Sequence, residues 1–84
     1  MEDKHKKKSW YAYIHGHPFD TSSYFKTNQQ PEFGIGKTIA AIYARGTETH
    51  PEEFSFKLKT LIADALTTGV SQPHPSDEII VFMK

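Results

Sequence analysis

Cysteine is absent from this chain, and that absence removes several classes of protein at once. There is no disulfide framework, no thiolate ligand for zinc and no cysteine nucleophile. Net charge is missing as well, since ten Lys and Arg balance ten Asp and Glu. Such a balance argues against a surface committed throughout to nucleic acid. Long apolar runs are missing too. No segment approaches the ~20 apolar residues of a membrane span, so the expectation is a cytoplasmic protein without membrane contact.

What the 84 residues do contain is aromatic area: one Trp, four Tyr and six Phe. A chain of this size buries only a modest share of its surface. Each large ring buries about 150–250 Å², so these side chains must supply much of the core. Any ring that the core cannot take is left as contact surface.

Charge is unevenly spread along the chain. Lys4, Lys6, Lys7 and Lys8, together with His5, make a basic run at the start. A signal peptide would continue into an apolar stretch, but Ser9 to His15 is too short and too polar. Residues 1–8 are therefore expected to be a disordered basic tail, and residues 9–84 a single small domain.

Periodicity then divides the domain into elements. Residues 9–15 read as an aromatic strand, with Trp10, Ala12 and Ile14 on one face and Tyr11, Tyr13 and His15 on the other. The Trp10 face is expected to be the core. Gly16 to Asp20 breaks the run, and Ser22 to Lys26 reads as a short edge strand. Thr27 to Lys37 is polar and punctuated by Pro31, Gly34 and Gly36, as a surface loop would be. Thr38 to Arg45 carries three alanines that favour helix, but its six-residue apolar run and its β-branched and aromatic residues indicate a strand.

Residues 51–68 carry the clearest pattern. Phe54, Leu58, Leu61, Ile62, Ala65 and Leu66 form one stripe at helical spacing. Thr49 and His50 are both candidate N-caps: Thr49-x-x-Glu52 fits a capping box, while His50 would place Pro51 at the first helical position. Gly69 is placed to end the helix in the left-handed conformation, with Val70 closing it. Gln72 to Ser76 reads as a turn and Asp77 to Lys84 as a last strand. The expected fold class is α+β, a three- to four-stranded sheet with one helix packed on one face. If the strands flanking the helix are parallel, their connection should be right-handed.

Three constellations bear on chemistry. Gly36-Lys37-Thr38 matches the end of a phosphate-binding loop, in which backbone amides cradle phosphates and the lysine reaches the β/γ oxygens. The first glycine of that motif would fall at position 31, which is Pro31, and Lys26 to Gln30 is not the apolar strand that should lead in. The expected role of Gly36-Lys37-Thr38 is thus a turn into a strand. His15 and His17, two residues apart, would share a face of an extended segment at a spacing that suits zinc, but no third ligand is evident. Tyr11 and Tyr13, if exposed beside the lysine run, would make a stacking platform for single-stranded nucleic acid.

Several short segments resemble a group of short bacterial proteins of unassigned function. They are Trp10-Tyr11-Ala12-Tyr13, Ser23-Tyr24, Ile39 to Ala44, and Ile62 to Gly69 with Gln72-Pro73 following. Members of that group often carry cysteines in the loop before the Ala-Ile-Tyr-Ala run, where this chain has Gly34, Gly36 and Lys37. The resemblance implies a compact domain over about residues 9–75 and adds no activity or ligand.

With no intact catalytic motif, the chain reads as a non-catalytic protein-interaction module without a cofactor. A homodimer or another protein partner is expected, with Trp10, Tyr11, Tyr13 and Tyr43 as candidate contact residues. The alternatives are a nucleic-acid module using Lys4, Lys6, Lys7 and Lys8 with those tyrosines, and nucleotide binding through Lys37.

Overall fold

The computed structural model describes residues 7–29, 34–73 and 79–84. Four strands and one helix follow in chain order: β1 (Lys8–Tyr13), β2 (Tyr24–Thr27), β3 (Ile39–Arg45), α1 (Phe56–Thr68) and β4 (Val81–Met83). The strands form one sheet in the order β2-β1-β3-β4, and every neighbouring pair is antiparallel. This is the expected α+β class. Because β3 and β4 are antiparallel neighbours, the handedness rule for parallel crossovers does not apply to the helix that joins them.

Cross-strand register sorts the side chains into two faces. Tyr11 lies opposite Ile42, Tyr13 opposite Tyr24, and Ile42 opposite Val81. An irregularity between Ile39 and Ala41 sets Ile39 opposite Met83. These residues cluster with Leu58, Ile62 and Ala65 of α1, forming the hydrophobic core. The other face carries Trp10 opposite Tyr43, and Ala12 between Phe25 and Ala41, with Phe82 beyond Ala41.

The expectation that Trp10's face would be the core is therefore reversed. Tyr11 is fully buried, whereas Trp10 is only half-buried. Alternation separates the two faces without saying which of them a helix covers. The aliphatic bed of Ile39, Ile42, Val81 and Met83 lies on the tyrosine side, and that is where the stripe of α1 packs. Leu58, Ile62 and Ala65 are buried along it. Complete burial of a side chain such as Ile62 stabilises by about 1.5–3 kcal/mol.

The helix begins later than its periodicity suggests, at Phe56 rather than near residue 51. Ser55 caps it, its Oγ accepting a hydrogen bond from the Leu58 amide at 3.1 Å. Neither Thr49 nor His50 serves as the cap. Thr49's carbonyl accepts from the Lys26 amide at 2.8 Å, and the His50 ring bonds the Tyr24 carbonyl at 2.8 Å. The Glu52 amide donates to the Arg45 carbonyl at 2.9 Å, which holds this segment extended along the end of β3. Gly69 terminates α1 as expected, with φ of 73° and its amide bonded to Ala65.

Both edges of the sheet are covered by the chain itself. Residues 47–50 lie along the outer side of β2 through the Thr49 and His50 contacts, reinforced by Lys26 Nζ donating to the Thr47 carbonyl. On the outer side of β4, Gln72 and Val81 exchange amide–carbonyl bonds at 2.8 and 2.9 Å. The Met83 amide donates to the buried Ser71 hydroxyl, which in turn donates to the Gly34 carbonyl, both at 2.9 Å. The Gln72–Pro73 peptide is cis.

Candidate functional site

Gly36-Lys37-Thr38 leads into strand β3, not a helix. A phosphate loop needs a helix N-terminus whose free amides face the anion, and two of the amides here are committed elsewhere. The Gly36 amide donates to the Gly69 carbonyl at 2.9 Å, and the Thr38 amide to the Lys84 carbonyl at 3.3 Å. The glycines serve close packing: a Cβ at Gly34 would clash with the Met83 carbonyl, and one at Gly36 with the Lys84 carbonyl. Gly36-Lys37-Thr38 therefore lacks the helix N-terminus that the phosphate-loop reading of Lys37 requires.

His15 and His17 do not share an extended strand, since β1 ends at Tyr13. Gly16, with φ of 101°, turns the chain between them. His17 Nδ1 accepts a hydrogen bond from the Phe19 amide at 3.2 Å. Among the described residues, no group of three His, Asp or Glu is placed to hold a metal ion.

The tyrosine platform is also corrected. Tyr11 is buried, and its hydroxyl donates to the Glu48 carbonyl at 3.1 Å. Tyr13, half-buried, donates to the Gly16 carbonyl, and buried Tyr24 donates to the Pro18 carbonyl at 2.6 Å. Three rings of the core thus tie down the two loops that flank the sheet. Burial holds the Tyr24 phenol well above its ordinary pKa, with Tyr13 adding to the effect. Burial likewise raises Tyr11; the Ser9 hydroxyl partly offsets this, and Glu52 and Glu48 reinforce it.

Of the basic residues, Lys4 and Lys6 lie outside the described residues. Lys8 belongs to β1, opposite Arg45, and the Lys7 carbonyl accepts from the Gly46 amide at 2.9 Å. The structured part therefore starts before residue 9.

What remains is the second face of the sheet. Trp10 stacks tilted against Tyr43, with ring centroids 4.7 Å apart, and edge-on against Phe82 at 5.3 Å. Beside these rings lie Ala12, half-buried, and Ala41, buried like Phe82, and Phe25 borders them on the β2 side. Phe25 in turn packs edge-on against His50 at 4.6 Å. Among the described residues there is one α-helix, and it lies on the opposite face. The sequence had singled out Trp10 and Tyr43 as contact residues; Phe25 was missed, although strand alternation from Tyr24 would have placed it here. No helix among the described residues is long and apolar enough to cross a membrane.

No protein-family model matches the chain, and neither does any curated protein or solved structure.

Proposed function

We propose that this chain is a non-catalytic interaction module that pairs with a second copy of itself through the Trp10 face of the sheet. The observation that carries this reading is the position of α1: it packs on the tyrosine face, while the half-buried Trp10 and Tyr43, backed by the buried Phe82, lie on the other. Aromatic residues are enriched where proteins meet, because they bring large apolar area with little conformational entropy to lose. In a two-fold pair the half-buried Trp10 and Tyr43 and the exposed edge of Phe25 of each copy would meet the same patch on the other.

Trp10 is the sole tryptophan, so its fluorescence reports directly on the proposed contact. The expected result is a blue shift of its emission as protein concentration rises, in step with a scattering mass of twice the 9.6 kDa chain. Phe25→Lys, at a partly exposed site on the same face, should return the protein to a monomer. A monomer at every concentration, with unchanged emission, overturns the reading.

A further inference from the structure

At the end of the sheet where β1 begins and β3 finishes, an open cleft of about 160 Å³ separates the sheet from the start of α1. Its floor is apolar, built from Ala44, Phe54, Leu58, Leu61 and Ile80. Its rim carries Lys8, Arg45 and Lys57 against a single acid, Glu53. The floor residues are buried or half-buried, and the four rim charges are exposed.

Volume decides what such a cleft accepts. Pockets for drug-sized ligands and cofactors run to about 300–1,000 Å³, whereas a cavity of about 150 Å³ is filled by benzene. A nucleotide or flavin is therefore too large, and one ring or one branched alkyl group fits. The rim decides the charge. Three cations facing one anion favour a negative head group, and the planar fork of Arg45 suits a carboxylate. Each rim pair is solvent-exposed and weak by itself, so binding needs the body on the floor and the head at the rim together.

We propose that this cleft binds an apolar group the size of one ring that ends in a carboxylate, either as a free acid or as the C-terminal residue of another chain. The cleft adjoins the aromatic face at Tyr43, but its occupation does not require self-association.

The test is an amide-resolved NMR titration with phenylacetate, with neutral phenylacetamide, and with an Ala-Ala-Phe peptide carrying a free or an amidated C-terminus. Saturable shifts at Ala44, Phe54, Leu58 and Leu61 are expected for the acids. Neutral ligands should bind about threefold more weakly, the size of effect that an exposed ion pair provides. Arg45→Gln, at an exposed position, should shrink that preference, and adding Lys8→Gln and Lys57→Gln should abolish it. Saturation by phenylacetate assigns the site to free acids, and saturation by the peptide acid alone assigns it to a chain terminus. Equal binding of acids and amides, a preference that survives the triple substitution, or shifts confined to other regions overturns the proposal. Running the titration on Phe25→Lys as well separates failure of the cleft from failure of the pairing face.

Discussion

The two faces of the sheet are both aromatic, yet their rings do different work. On the helix side, Tyr11, Tyr13 and Tyr24 each send a hydroxyl to a loop carbonyl, and Tyr24 also packs edge-on against Phe54 at 5.6 Å. On the far side, Trp10, Tyr43 and Phe82 lie against one another. A buried tyrosine is tolerated when its polar end finds an acceptor, and the loops at 16–18 and 46–50 provide acceptors on one side. The comparison shows that the largest apolar ring does not choose the core. The core forms where an aliphatic bed, a helix stripe and reachable carbonyls coincide.

The contrast can be broken most forcefully in the core. Ile62→Ala should cost about 3 kcal/mol, the usual price of a truncated buried aliphatic, a large share of the 5–15 kcal/mol that holds a domain together. In the Phe25→Lys background, expected to be monomeric, Trp10→Ala should cost only about 1–2 kcal/mol, despite deleting a larger ring, because the ring is half-buried in the single chain. Urea denaturation of the two variants measures both. The reverse order would mean that the faces have been assigned to the wrong roles.

Alkaline titration sharpens the same contrast. Tyr11 and Tyr24 have phenol pKa values raised from the ordinary 10.0. Below pH 10, folded and unfolded chains both keep these protons, and the contribution to stability is fully present. As pH rises past that value the unfolded chain ionises first, so stability falls until the folded groups titrate as well. Urea midpoints should decline between neutral pH and about pH 11. Tyr24→Phe should make the decline shallower while removing about 1 kcal/mol at neutral pH, through the lost bond to Pro18. An unchanged alkaline slope in Tyr24→Phe would show that this phenol is not held neutral.

The smallest effect tests the helix start. Ser55→Ala removes the observed cap and should cost about 1 kcal/mol, or a melting temperature lower by about 4–8 °C. Thr49→Ala should leave helical content unchanged by circular dichroism, since Thr49 contributes its carbonyl to β2.

Period-two and period-3.6 patterns made the strands and α1 legible, and Gly69 marked the helix end correctly. β3 was legible despite its alanines because its apolar run is short. The points that escaped are non-local. That Thr49, His50 and Glu52 are bonded to β2 and β3, leaving the cap to Ser55, depends on partners up to 26 residues away. The irregularity in β3 that turns Ile39 inward likewise leaves no local mark. Gly36-Lys37-Thr38 was legible as a turn into a strand from Pro31 and the polar lead-in, although a glycine kept for close approach to Lys84 looks the same in sequence as one kept for phosphate. Trp10 and Tyr43 were legible as contact candidates, but their separation from Tyr11 and Tyr13 required knowing which side the helix takes.

The loops laid along β2 and β4 limit how copies of this chain can join. An unpaired strand edge is a template on which further strands add without end, the route to fibres. Here the outward amides of Lys26, Val81 and Met83 already have partners within the chain. The proposed contact through the Trp10 face would instead bury the same patch on both copies and leave neither with a second such patch to offer. Growth would stop at two, and the protein would remain a countable particle at concentrations where an open-edged sheet would become a filament.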